Sequence, residues 1–124
     1  MAPIEQPAEA SAEAFVARAF DLRRRAELAG DQPYGAVLVL DGRIVGEGSS
    51  RVVGQTDPTA HAEMEAIRDA AGRLGRPRLT GCVLYSSSRP CAMCESAAYW
   101  AGLDRMWHGQ PLADGGVPRL GGAR

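Results

Sequence analysis

Three runs within residues 82–108 decide the fold: Cys82-Val83-Leu84-Tyr85-Ser86, then Pro90-Cys91-Ala92-Met93-Cys94 continuing to Ala101, then Asp104-Arg105-Met106-Trp107-His108. The first run is apolar and rich in β-formers, which reads as a buried central strand. The second places proline in the first turn of a helix that runs from Pro90 to Ala101. The third is a short strand. A strand, a helix and a strand in this order form a β-α-β unit, parallel and right-handed.

Upstream, His61 to Leu74 reads as a helix, with Met64, Ile67, Ala71 and Leu74 on one face. Ser49 to Thr59, with its glycine and proline, is a loop of a length that is usually functional. Gly35–Leu40 and Arg43–Gly48 are strands joined by Asp41-Gly42, a two-residue hairpin signal. Ser11 caps a first helix running to about Leu28, with Phe15, Ala19, Leu22 and Ala26 as its apolar stripe. Gly30 closes that helix, and Asp31-Gln32-Pro33 makes a turn. The order α-β-β-α-β-α-β predicts an α/β sandwich with a mixed sheet. Residues 1–10 are expected to be flexible, residues 11–109 to form one domain, and the Gly/Pro-rich tail 110–124 to be poorly structured.

The chain has 124 residues, 45% hydrophobic and 23% charged, with 14 basic against 15 acidic side chains. That near balance argues against a nucleic-acid partner, which usually demands a basic excess or stripe. The cluster Arg23-Arg24-Arg25 falls within a helical pattern and reads as a solvated face. No apolar run approaches the roughly 18 residues of a membrane span. Met1 to Ala10 carries Glu5 and Glu9 and no basic region before an apolar stretch, so no signal peptide and a cytoplasmic location are expected. Three cysteines, Cys82, Cys91 and Cys94, are an odd number for a disulfide framework and direct attention to metal or redox chemistry.

Two short motifs carry the chemistry, His61-Ala62-Glu63 and Pro90-Cys91-Ala92-Met93-Cys94. Cys91 and Cys94 stand at i and i+3, so both sulfurs point to one side of a helix. With His61 they make a Cys2His set, the ligand count of a zinc site whose fourth position is open to water. Zinc lowers the pKa of bound water to about 7, and Glu63 is placed to take that proton and pass it on. Both helices aim their positive ends at the metal. Attack of the zinc-bound hydroxide on an amidine carbon, with loss of ammonia, is a deamination. The combination His-x-Glu and Pro-Cys-x-x-Cys is the pattern of zinc-dependent deaminases. Cys82 reads as core, Met64 and Met93 as packing residues, His108 as a strand-end residue and Asp114 as a solvated one. A redox reading of Cys-x-x-Cys leaves His61 and Glu63 unexplained.

Asp57-Pro58-Thr59-Ala60-His61-Ala62-Glu63 followed by Pro90-Cys91-Ala92-Met93-Cys94 resembles the cytidine deaminase-like superfamily, and within it the guanine deaminase and tRNA adenosine deaminase branch. Pro33-Tyr34-Gly35-Ala36 and Tyr99-Trp100-Ala101 are similar to guanine deaminases in particular. The resemblance covers roughly residues 10 to 109. It implies a three-layer α/β/α sandwich, Zn2+ and a homodimer. It also implies that the backbone around Ala62 and Cys91, and the ring of Trp100, help form the base pocket. Three departures stand out. Ser50 takes the place of an asparagine that holds substrate, and Arg89 stands before Pro-Cys where many relatives have glutamate. Guanine deaminases also carry a longer C-terminal segment with acidic residues, where this chain has Asp114. Arg89 has two readings, a contact to an anionic substrate or an ion pair with Glu95 or another surface carboxylate, and the second is the simpler expectation.

The leading expectation is thus a zinc hydrolase acting on a nucleobase or related amino-heterocycle. The alternatives are a tRNA or other nucleic-acid deaminase and a non-catalytic zinc-stabilised binding protein. The second of these has no use for Glu63.

Overall fold

The computed structural model describes residues 2–122. The chain runs α1 (Ala12–Leu28), β1 (Gly35–Leu40), β2 (Arg43–Ser49), α2 (Ala62–Leu74), β3 (Val83–Ser86), α3 (Ala92–Ala101), β4 (Arg105–His108), β5 (Ala113–Gly116) and a closing 3-10 turn, Leu120–Gly122. The strands form one sheet in the order β2-β1-β3-β4-β5. β3 and β4 are parallel, as a β-α-β unit requires, and the other neighbours are antiparallel.

Strand alternation divides the core in two. Ala36, Leu38, Leu84 and Met106 face α2 and α3 in one buried cluster. Val37, Val39, Ile44 and Tyr85 meet Phe15, Val16 and Leu22 of α1 in the other. The result is a three-layer α/β/α sandwich, with α1 on one face and the two motif-bearing helices on the other. Ser11 caps α1 by accepting the Ala14 N–H at 3.1 Å. Asp41 and Gly42 both adopt positive φ, 51° and 77°, as the tight turn between β1 and β2 requires.

The buried stripe of α2 differs from the expected one. Ala62, Ala66 and Ala70 are fully buried, while Met64, Ile67, Ala71 and Leu74 are only partly covered. Hydrophobic periodicity weights large side chains, but the strand beneath α2, β2, presents glycine to it at Gly46 and Gly48. A Cβ on Gly46 would lie 2.5 Å from the Ala66 carbonyl oxygen and 2.7 Å from Ala70 Cβ, and one on Gly48 would lie 2.6 Å from the Ala66 nitrogen. Glycine on β2 and alanine on α2 let the two backbones approach closely, and this seats the start of α2 at the end of the sheet.

Among the described residues, the segments before α1 and after β4 both make backbone contacts with the sandwich. Gln6 exchanges two hydrogen bonds with the Ile44 backbone, at 2.9 and 2.8 Å, on the open side of edge strand β2. The Ala2 carbonyl accepts from Arg73 Nη1 at 2.7 Å. The segment after Gly109 supplies β5, which pairs with β4. Backbone pairing needs no apolar side chains, so a Gly-rich segment beside a free strand edge can still become a strand. Asp114 is not simply solvated, because its carboxylate takes two hydrogen bonds from Arg105 at 2.9 and 2.7 Å. Arg23 and Arg24 pair with Glu27 and Asp21 on the exposed side of α1, the solvated face expected for that cluster. No helix among the described residues is long and apolar enough to cross a membrane.

The close approach of β2 and α2 makes Gly48→Ala destabilising by about 1–3 kcal/mol. Gly54→Ala, whose added Cβ would meet its nearest neighbour at 3.5 Å, should stay within about 0.5 kcal/mol of wild type. Urea unfolding midpoints of the two variants measure the difference, and equal midpoints would contradict the glycine-alanine account.

Candidate active site

His61 is the N-cap residue of α2 and Cys91 the N-cap residue of α3, and neither uses its side chain as a helix cap. Both side chains are therefore released to face one another. His61 Nδ1 lies 3.6 Å from Cys91 Sγ and 3.6 Å from Cys94 Sγ. Zn–S and Zn–N bonds of about 2.3 and 2.1 Å at a tetrahedral angle place nitrogen and sulfur about 3.6 Å apart. The three donor atoms all lie within 4.8 Å of one another, and among the described residues no other such group occurs.

The electrostatics fit a metal too. Cys94 is fully buried. Burial, with Glu63 and Cys91 close by, pushes its thiol well above the ordinary range. A thiolate there needs a compensating cation, and a divalent ion at the meeting point of the three donors supplies one. The first turns of α2 and α3 add their own positive ends. Cys82, by contrast, is fully buried in the core, remote in role from the other two.

Glu63 is only 5% exposed, and burial pushes its carboxyl up to about 7, opposed by its own backbone N–H. A carboxyl poised near neutrality both accepts and returns a proton readily. It opens with His61 and Cys91 into a cleft of about 220 Å³. Gln32, Tyr34, Ser88 and Arg89 line the rest of that cleft. A larger groove of about 560 Å³ lies between α2, β2 and the end of α1, but its charged groups are mostly paired, as in Arg68–Glu65 and Arg73–Asp69. It contains neither thiol nor imidazole, so the smaller cleft is the candidate site.

Of the four side chains or backbones expected to meet substrate, the structure brings only Arg89 to the cleft. Ala62 is fully buried, its backbone pressed against Gly48. Ser50 is buried and its hydroxyl donates to Asp31 Oδ1 at 2.9 Å. Trp100 is 67% exposed, on the outer side of α3. Nor does Arg89 pair with Glu95. Glu95 is buried and accepts the Arg119 N–H at 2.8 Å. Gly121 donates to Ser96 beside it, so the C-terminal segment is fastened to the first half of α3.

Gln32, Tyr34 and Ser88 were not singled out by pattern. They meet because β1 and β3 are antiparallel, so the residues entering β1 lie beside those leaving β3. Gly35 and Ser87 exchange hydrogen bonds there, at 2.9 and 3.1 Å. Asp31 organises this corner, accepting from the N–H groups of Gln32, Val53 and Gly54 and from Ser50 Oγ. Desolvation works against its charge, but these hydrogen bonds prevail and hold the carboxyl at about 2.

Two cysteines and one histidine gathered beside a buried carboxyl in a small cleft make a candidate metal centre. The family model "Cytidine and deoxycytidylate deaminase zinc-binding region" matches residues 9–110, and the chain belongs to this family. Its cofactor is zinc. The chain is 49% identical over 90 residues to a guanine deaminase of Bacillus subtilis, covering 72% of this chain and 58% of that protein. A solved structure of guanine deaminase from the same species superposes with a TM-score of 0.76 at 45% identity, covering 78% of this chain and 62% of that one. A tRNA-specific adenosine deaminase of Agrobacterium fabrum is 43% identical over 89 residues, covering 72% and 59%. A tRNA(Ile)-lysidine synthase of Deinococcus deserti is 39% identical over 122 residues, covering 98% of this chain and 22% of that protein. The chain thus spans about three fifths of the length of the two deaminases.

Zinc content measured by mass spectrometry separates the roles of the cysteines. Wild type should hold one zinc per chain, Cys94→Ala should lose it, and Cys82→Ala should keep it. Retention of full zinc by Cys94→Ala would place the metal elsewhere.

Proposed function

We propose that the protein is a hydrolytic deaminase that replaces an exocyclic amino group on a nucleobase or related amino-heterocycle with oxygen, releasing ammonia. The observation that carries this reading is Glu63, a buried carboxyl opening into the same cleft as His61 and Cys91 of the donor set. A purely structural metal site has no need of it. His61, Cys91 and Cys94 would hold the zinc, which supplies the Lewis acidity that makes water nucleophilic near neutral pH. Glu63 then does two things. Its carboxylate takes a proton from the attacking water as the C–O bond forms. It delivers that proton to the ring nitrogen and then carries the remaining hydroxyl proton of the adduct to the departing amine, so that the C=O bond forms, the C–N bond breaks and ammonia leaves. Because the Glu63 carboxyl is held out of water, little solvent must reorganise as the proton moves.

A small heterocycle fits the cleft volume of about 220 Å³. It also fits the even charge balance of the chain. The similarity to guanine deaminase points the same way. A second reading, a tRNA deaminase, is favoured by the similarity to tRNA-specific adenosine deaminases, that of Agrobacterium fabrum among them. We place the homodimer contact on the outer face of α3, where Tyr99 and Trp100 are exposed. A site built on reduced thiols suits the cytoplasm.

The test is ammonia release by the zinc-loaded protein from guanine, cytosine, adenine, their nucleosides, aminotriazines and a tRNA anticodon stem-loop. One panel member should be turned over, and Glu63→Gln should retain zinc while losing about 10²–10⁴-fold in rate. Full activity in Glu63→Gln would remove the proposed proton carrier.

A further inference from the structure

Arg89 is the one guanidinium among the residues that line the cleft. It is exposed. Among the described residues its side chain makes no hydrogen bond, ion pair or ring contact. The carboxylate expected to neutralise it, Glu95, is turned inward and fastened to the C-terminal segment. Arg25, Arg43, Arg51 and Arg76 are also exposed without an ion pair among the described residues, but none of them lines the cleft. The same rim carries two neutral donors, the Gln32 amide and the Ser88 hydroxyl, and neither side chain has a hydrogen-bond partner among the described residues. Tyr34, 42% exposed, adds a second uncommitted hydroxyl.

The one carboxyl in the cleft lining, Glu63, is buried and makes no ion pair with this guanidinium among the described residues. A neutral ring seated over the metal leaves the guanidinium unused. An oxyanion attached to that ring would meet a planar fork of N–H donors flanked by hydroxyl and amide donors, a set suited to bidentate recognition of phosphate.

We infer that the substrate carries a phosphate close to the reacting ring, and that Arg89, with Ser88 and Gln32, binds it and sets specificity. This rests on the deaminase reading above for the identity of the ring. Arg89 is in this account a specificity residue that takes no part in proton transfer. The phosphate could be the monoester of a mononucleotide or a diester of an RNA strand, since both present the same oxygens.

The experiment uses zinc-loaded wild type, Arg89→Gln and Arg89→Glu, with substrates in matched pairs that differ only in phosphate charge: each amino nucleoside against its 5′-monophosphate, and an anticodon stem-loop against the same stem-loop with neutral methylphosphonate linkages flanking the target base. Binding of the deaminated monophosphates and nucleosides is followed by calorimetry, a readout that needs no turnover. The phosphorylated member should exceed its neutral twin by about tenfold or more in kcat/KM. Arg89→Gln should level the pair, Arg89→Glu should invert it, and the preference should shrink as salt rises. Preference for a mononucleotide identifies a monoester, and preference for the stem-loop alone identifies a diester. Equal or better use of the neutral twin by wild type, or a preference that survives in Arg89→Gln, overturns the inference. If nothing is turned over, the deaminase reading fails by itself. Arg89-dependent binding of a monophosphate would then still support the phosphate site, and absence of such binding would overturn it.

Discussion

The meeting of two helix starts at one point is the constraint on which everything else depends. α2 begins at His61 and α3 at Cys91, and the imidazole nitrogen of one stands 3.6 Å from both sulfurs carried by the other. Neither helix is long enough to be stable alone. Their position comes from the sheet: α3 is the crossover between parallel strands β3 and β4, and α2 is drawn onto β2 by glycine-alanine contact. A side chain at Gly46 or Gly48 would lift α2 and separate the histidine from the cysteines. The apolar core and the metal donors are thus parts of one arrangement.

The same arrangement explains the unusual carboxyl. Seating the first turn of α2 against the sheet buries Glu63 together with Ala62. A carboxylate in that position would be a liability in a protein without a cation beside it, since charge removed from water must be compensated. A divalent ion and two helix N-termini beside it supply that compensation and favour its charged form, the form that accepts a proton. Chemistry and packing cannot be assigned to separate residues here, because the helix placement that supplies the histidine also desolvates the glutamate.

Much of this was legible along the chain. The spacing of Cys91 and Cys94 on one helix side, and of Glu63 two residues beyond His61 at a helix start, are local facts, and local facts survive folding. The β-α-β unit was legible for the same reason. What was not legible is what depends on partners distant in sequence. Asp31 looks like an ordinary turn residue until residues 50–54 fold over it. Gln32 and Tyr34 join Ser88 and Arg89 only through the antiparallel pairing of β1 with β3. The alanine stripe of α2 was hidden behind larger apolar residues because its meaning lies in the glycines of another strand. β5 was hidden because Ala113-Asp114-Gly115-Gly116 has no strand propensity of its own and takes its form from the edge of β4. Resemblance placed Ser50 and Trp100 in the pocket, whereas the hydroxyl of Ser50 is committed to Asp31 and Trp100 faces outward.

The claim at the centre is an open metal centre made by three side chains from two helices. X-ray absorption at the zinc edge of the reconstituted protein tests it most directly. The account predicts four-coordinate zinc with two sulfur neighbours at about 2.3 Å and two light neighbours at about 2.0–2.1 Å, one from His61 and one from solvent. Replacing His61 with alanine should exchange a nitrogen neighbour for oxygen or release the metal. A spectrum with four protein ligands and no exchangeable position, or one with no sulfur, would contradict the account.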